Sequence, residues 1–304
     1  MTSKRVAAID VGTNTVLLLV AEGSAASPRA VVERATITRL GQDVDRTGRL
    51  AEDAMSRTLA ALSEYAGEIR RLGVSHVDAV CTSAARDADN GREFLERASD
   101  VLGTAPRIAS GEEEARLTFA GALTDLPVSA ATVFDVGGGS TEIIVGNEAS
   151  EILHATSLDV GSVRLTERCV RSDPPTTADL DEVRRAVEAA LSAVSFRPTT
   201  PLVGVAGTIT TFAAIERRLS VYDSSLVHGA RLSRSSLAGM TADLAKRPLA
   251  ERRSVTGLPP ARADVIVAGG VLAVAVLDWA GATEIVVSDK GVRWGLARLA
   301  LSSV

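Results

Sequence analysis

Residues 8–20 read AIDVGTNTVLLLV and residues 133–145 read VFDVGGGSTEIIV. Asp10 aligns with Asp135, Gly12 with Gly137 and Val20 with Val145. Each copy is an apolar run, an Asp, a turn rich in Gly, Ser, Thr or Asn, and a second apolar run. That pattern predicts a β-hairpin with an unusual tip. Strands then alternate with helices after each copy, which implies βαβ units and a sheet with parallel strands. The repeat therefore predicts an internally duplicated α/β protein, with the two hairpin tips facing each other across a cleft and holding phosphate.

The periodicity fills in both halves. The first hairpin is expected to end near residue 35, followed by a short strand and a polar loop. Met55, Leu59, Leu62, Ala66 and Ile69 share one face of a helix over 51–72, capped by Gly73. VSHVDAVCTS reads as a buried strand, NGREFLERASDVLG as a helix ended by Gly103, PRIAS as a short strand and GEEEARLTFAGAL as a third helix. The proline-containing segment Leu123–Ala130 marks a boundary, giving domains 1–125 and 126–304. In the second, Leu180, Val183, Val187, Leu191 and Val194 predict a helix over 178–194 with Thr177 as N-cap. TPLVGVAGTITTFAAI and TEIVVSDKGVRWGLARLAL each read as strand, tight loop, helix.

Composition excludes several classes. A chain of 304 residues with 46% apolar and 23% charged side chains is long enough for two cored domains. A net charge of −5 argues against a general nucleic-acid binder, and 3% aromatic content leaves few stacking platforms. Cys81, Cys169 and three histidines give neither a disulfide framework nor zinc spacing. The start, KRVAAIDVG, leaves no room for a signal peptide. The longest apolar run, Val265–Leu277, is too short to span a bilayer and reads as a buried helix. A cytoplasmic protein with no nucleic-acid or membrane partner is expected.

The tips carry the chemistry. Amide N–H groups of a Gly-rich turn can converge into an anion-binding concavity, with Gly12, Gly137, Gly138 and Gly139 supplying φ > 0 and close approach. Thr13, Asn14, Thr15, Ser140 and Thr141 add side-chain donors. Asp10 and Asp135 at the bases would repel phosphate alone. They make sense if they orient a water or bind Mg²⁺, with Glu142 as a second carboxylate. Gly207 and Thr208 lie between a strand and a helix start, where free N–H groups favour phosphate, although an ordinary turn with a threonine cap explains them equally. Ser83 and Arg86 follow a strand end, where open α/β sheets hold ligands; Arg86 also fits a solvated surface position. In SGEEEAR, Ser110 and Glu113 predict a capping box and Glu112 pairs with Arg116. Glu114 is used by neither device, so it is either a base for an attacking water or a third solvated glutamate.

Together these stretches resemble the exopolyphosphatase/guanosine pentaphosphate phosphatase (Ppx/GppA) family of the sugar kinase, Hsp70 and actin superfamily. AIDVGTNT, CTSAARDADNG, SGEEEARLTFAG, VFDVGGGSTEI, DVGSVRLTE, GVAGTIT, GLPPARADVIVAGG and VSDKGVRWGLA carry the resemblance, in order, over nearly the whole chain. It implies two ribonuclease-H-like domains flanking an interdomain cleft, and Mg²⁺- or Mn²⁺-dependent hydrolysis of a terminal phosphate. It makes Glu114 the catalytic base. It places Asp135 and Glu142 at the metal or lytic water, Asp10 at the first phosphate loop, and Arg86 and Arg262 as basic contacts. The chain resembles the short two-domain form, and a homodimer is expected. Trp294 stands where an acidic residue is expected. The leading substrate is inorganic polyphosphate, and guanosine pentaphosphate is the alternative. A third reading is a kinase or ATPase of the same superfamily with Val267–Gly270 at adenine, though close helix packing is the simpler use of those glycines.

Overall fold

The computed structural model describes residues 5–74, 76–128, 130–147 and 151–303. Position 129 of the expected boundary segment lies outside them. The chain divides into two compact units, Met1–Thr124 with Gly291–Val304, and Asp125–Lys290.

The first unit opens with a three-stranded antiparallel meander, β1 (Arg5–Val11), β2 (Thr15–Ser24) and β3 (Ser27–Ile37). The short strand expected after the hairpin is the end of β3, because the turn falls at 25–26 instead. Next come α1 (Val44–Thr47), α2 (Glu52–Arg71), β4 (His76–Cys81), α3 (Ser83–Asp87), α4 (Gly91–Leu102), β5 (Arg107–Ile108) and α5 (Gly111–Ala122). The strand order is β3-β2-β1-β4-β5, with β4 parallel to β1. Side chains alternate across the sheet as strand geometry requires. Ala7, Ile9 and Val11 join the core formed with Leu62, Ile69 and Phe94, whereas Val6 and Ala8 join a second cluster with Leu117 and Trp294.

The second unit repeats the plan with β6 (Ala131–Val136), β7 (Thr141–Gly146), β8 (Ile152–Leu158), α6 (Ser162–Cys169), α7 (Thr177–Ser192), β9 (Leu202–Val205), α8 (Ala206–Glu216), α9 (Ser224–Val227), β10 (Arg231–Ser233), α10 (Arg234–Ala245), α11 (Leu249–Arg252), α12 (Ile266–Ala280) and β11 (Glu284–Val287). Its order is β10-β11-β9-β6-β7-β8. Strands β6, β7 and β8 pair antiparallel, and β9 runs parallel to β6. This is the ribonuclease-H-like arrangement, present twice.

The last helix, α13 (Val292–Ser303), packs with the first unit, so residues 291–304 do not belong with 125–290 as the sequence boundary had them. Hydrophobic pattern shows that α13 buries a face but not which sheet receives it. Trp294 accounts for itself here: it is buried in that cluster and its Nε1–H donates to Glu33 Oε2 at 3.3 Å.

Local corrections have simple causes. Ser110 accepts from the Glu113 amide at 3.1 Å, but the Glu113 carboxylate takes Arg107 at 2.7 Å instead of closing the box. The N-cap of α7 is Thr176, not Thr177, because Asp179 completes a capping box there. No helix among the described residues is long and apolar enough to cross a membrane.

Two candidate phosphate half-sites

The two tips are built alike. The Gly12 amide donates to Thr15 O at 3.0 Å, and the Gly137 amide donates to Ser140 O at 3.1 Å. A Cβ on Gly12 or Gly137 would press on those same carbonyls at 3.1 and 3.0 Å. None of Gly12, Gly137, Gly138 or Gly139 has a positive φ, so the expected left-handed conformation is not their reason. At Gly12 and Gly137 the reason is close backbone approach.

The carbonyls of each tip are taken by the segment that follows its third strand. In the first unit the Gly41 amide donates to Thr13 O at 2.8 Å, and the Thr38 and Arg39 amides donate to Asn14 O at 3.0 and 3.1 Å. In the second the Ser162 amide donates to Gly137 O at 2.9 Å, the Val163 and Arg164 amides to Gly138 O, and Arg164 Nε to Gly139 O at 2.7 Å. Each peptide unit is planar and trans, so a carbonyl held on one side turns the next N–H to the other. None of the described residues offers an acceptor to the amides of Thr13, Asn14, Gly138 or Gly139. Amides left without an acceptor in this way are the donors an anion nest would use.

The segment at 38–41 was not singled out from sequence, and DVGSVR entered only as part of a stretch that carries the family resemblance, with no role given to it. DVGSVR at 159–164 is a third Asp-Val-Gly, and that was the available signal. A Cβ on Gly161 would collide with the Gly138 backbone, and one on Gly41 with Thr13.

In the first unit Asp10 pairs in register with Val80, which sets the end of β4 beside the tip. Thr13 Oγ1 and Ser83 Oγ lie 2.7 Å apart, joining the tip to α3. Asn14 is buried, and neither its Oδ1 nor its Nδ2 has a hydrogen-bond partner among the described residues. Such an amide normally meets a ligand or water. Arg86 on α3 donates to Glu114 Oε2 at 2.9 Å and to Ala109 O at 3.3 Å. Glu114 is buried, unlike a solvated glutamate. Burial raises its pKa, and the Arg86 guanidinium opposes that only in part.

In the second unit Asp135 lies directly across the hairpin from Glu142, so their side chains share one face. Leu17 occupies the equivalent place opposite Asp10. Glu142 is buried and accepts from Ser157 Oγ at 2.7 Å. Like charges directly opposed on a sheet repel, unless a cation or proton sits with them. Two hard oxygen ligands suit a divalent ion that keeps several waters. Among the described residues no three His, Cys, Asp or Glu side chains cluster to hold a metal. Ser140 and Thr141 are both buried. The Thr141 hydroxyl donates to Val160 O at 2.6 Å, so its proton holds the tip together rather than awaiting phosphate.

Beside Asp135, strand β9 runs straight into α8 with no intervening loop, and Ala206 takes φ 68. That conformation is strained for a residue with a Cβ and concentrates at functional sites. It sets Gly207 and Thr208 in the first turn, where helix N–H groups lack intrahelical partners. The Arg262 guanidinium lies against Gly207, and a Cβ there would displace it. Burial lowers the Arg262 pKa to about 10. The geometry thus groups Asp10, Thr13, Asn14 and Ser83 in one candidate site, with Arg86 paired to Glu114. It groups Asp135, Glu142, Gly137 to Ser140, Gly207, Thr208 and Arg262 in the other.

The profile of the Ppx/GppA phosphatase family matches residues 19–302. The chain belongs to the Ppx/GppA phosphatase family. It is 39% identical to exopolyphosphatase 2 of Mycobacterium tuberculosis over 98% of both chains. The fold matches an exopolyphosphatase of Cytophaga hutchinsonii with a TM-score of 0.89, at 28% identity over 99% of each chain. It matches the Aquifex aeolicus Ppx/GppA family member with a TM-score of 0.81, at 35% identity over 99% of this chain and 97% of that one.

Proposed function

We propose that this Ppx/GppA protein is an exopolyphosphatase. Water attacks the terminal phosphorus of inorganic polyphosphate, the bond to the bridging oxygen breaks, and orthophosphate leaves with the shortened chain. The observation that carries this reading is the duplicated tip, in which carbonyls are turned away and amide N–H groups are left for an anion. Its identity with a relative named exopolyphosphatase supports the choice of substrate.

In this reading Gly12, Thr13, Asn14, Thr15 and Ser83 hold one end of the phosphate chain, with Asp10 at the base of that loop. Gly137 to Ser140, Gly207, Thr208 and Arg262 hold the phosphates on the second unit. Glu114 takes the proton from the attacking water, and Arg86 holds that carboxylate until phosphate draws the guanidinium. Asp135 and Glu142 would hold Mg²⁺ or Mn²⁺, which when bound neutralises negative charge on the phosphoryl oxygens.

Guanosine pentaphosphate is the second reading, and one observation favours it. Tyr222 is half exposed, its hydroxyl donates to Asp289 Oδ1 at 2.5 Å, and it lies near enough to Arg262 to act on its charge. That gives a base a surface beside the phosphates. The kinase reading loses its adenine site: Cβ atoms on Gly269 and Gly270 would meet Thr208, Thr241 and Phe212, so those glycines serve packing. Orthophosphate release from short and long polyphosphate, guanosine pentaphosphate and ATP, measured side by side with Mg²⁺, tests the proposal. Release from ATP alone would overturn it.

A further inference from the structure

Helix α5 carries Glu114, and its placement depends on an unusually close contact with α13. A Cβ on Gly295 would overlap the Leu117 carbonyl and lie 2.8 Å from Leu117 Cα. A Cβ on Gly121 would overlap Gly291 O and lie 2.9 Å from the Gly295 amide nitrogen. The two helices therefore touch backbone to backbone, which only glycine permits. Leu117 is one helical turn beyond Glu114, so the contact bears on the turn that carries the carboxylate.

Four further hydrogen bonds fix α13. Arg298 Nη1 donates to Ala120 O at 3.0 Å and to Thr124 Oγ1 at 3.2 Å, clamping the end of α5. Arg293 Nη2 donates to Glu33 Oε2 at 2.7 Å, and Trp294 Nε1 donates to the same oxygen. These tie α13 to β3. Ala109, whose carbonyl accepts from Arg86, is buried in the same cluster as Leu117, Trp294 and Leu296. Helix α13 thus backs both members of the Arg86–Glu114 pair.

We propose that Gly295 and Gly121 are positioning residues for Glu114, and that α13 sets the depth and register at which α5 presents its carboxylate to Arg86. This rests on Glu114 being the base. A backbone contact cannot be relieved by rotating a side chain, so an added methyl must push α5 away from α13.

The test compares Gly295→Ala and Gly121→Ala with Leu301→Ala, which removes packing from the far end of the same helix. Two readouts are used: phosphate release per folded molecule across pH, and the carboxyl ¹³C titration of Glu114. The expected result is a kcat lowered about tenfold or more in both glycine variants, with little change in KM. Their Glu114 titration should shift, while Leu301→Ala lowers Tm but keeps the wild-type kcat, pH profile and titration. A glycine variant that loses stability yet keeps wild-type kcat and Glu114 titration overturns the proposal. If neither glycine variant folds, Trp294→Phe, which removes the indole N–H on Glu33 and shrinks the buried ring, is read by the same titration; an unshifted value overturns the proposal. The titration does not depend on activity. A wild-type chain that releases no phosphate would sink the enzymatic reading while leaving the positioning claim to stand or fall on the ¹³C result.

Discussion

Arg86 Nη1 and Glu114 Oε2 lie 2.9 Å apart, and Glu114 is the more deeply buried of the two. A buried carboxylate beside one guanidinium is neither a surface ion pair nor an idle helix-start glutamate. Burial disfavours its charge more than Arg86 restores it, so its pKa stands above the ordinary value. That direction suits a group that must accept a proton and later release it.

Glu114→Gln keeps shape and hydrogen bonding but removes the proton acceptor. Its kcat should fall about 10²–10⁴-fold, the usual scale for a lost general base. Glu113→Gln should stay within a few-fold of wild type, because Glu113 faces Arg107. Steady-state kinetics on the two variants checks this. Equal losses would remove Glu114 from the role.

The same shift has a consequence for stability. A carboxyl whose folded pKa lies above its unfolded value binds its proton more tightly when folded. Stability therefore falls as pH rises through the two values. Glu114→Gln should raise Tm relative to wild type at pH 7, with the gain vanishing as pH drops below about 4.3, the ordinary glutamate value. Thermal melts at the two pH values read this directly. A lower Tm at pH 7 would mean that the Arg86 pair outweighs burial.

The fold was legible because its signals are local. Apolar periodicity set α2 close to its observed ends, an unbroken apolar run located α12, and the aligned hairpins announced the duplication. Three things were not legible. The path of α13 to the first unit depends on glycine contacts with α5, which no periodicity encodes. The carbonyl-holding segments at 38–41 and 161–164 act through backbone amides, apart from Arg164 Nε, so side-chain chemistry marks them poorly. The capping box at Ser110 fits the pattern of residues, but Arg107 competes for the Glu113 carboxylate across 6 positions. The burial of Glu114 was not legible either, since spacing cannot tell a buried glutamate from a solvated one.

Asp135 and Glu142 face one another across β6 and β7 and should share one divalent ion. Exhaustive chelation should abolish phosphate release, and added Mg²⁺ or Mn²⁺ should restore it. Asp135→Asn and Glu142→Gln should each raise the metal concentration for half-maximal activity by about tenfold or more, the scale expected when a support of a metal site is lost. Full activity after chelation would exclude the ion.

Arg262 keeps its charge at neutral pH even though burial lowers its pKa to about 10. A lysine starts lower, near 10.4, and the same burial would bring it towards the working range. Arg262→Lys should therefore give a KM that climbs between about pH 7 and 9, while the wild-type KM stays flat over that range. A flat profile in the variant would mean that position 262 does not contact the phosphates.

The matched hydrogen bonds at Gly12–Thr15 and Gly137–Ser140 make the strongest demand on the proposal. If one phosphate chain is held by both tips, the amides of Thr13, Asn14, Gly138 and Gly139 should respond to short polyphosphate at a single midpoint in an NMR titration. Gly161→Ala supplies the perturbation. Its methyl would strike the Gly138 backbone, which α6 holds by its carbonyls, and so push the second tip out of place. The first tip would be chemically untouched. Binding should nevertheless weaken at both sets of amides together, by about tenfold if one charge-assisted contact of roughly 1.5 kcal/mol is lost. Two separate midpoints in wild type, or a Gly161→Ala effect confined to Gly138 and Gly139, would show two independent anion sites. The repeat would then be a relic of duplication rather than a clamp.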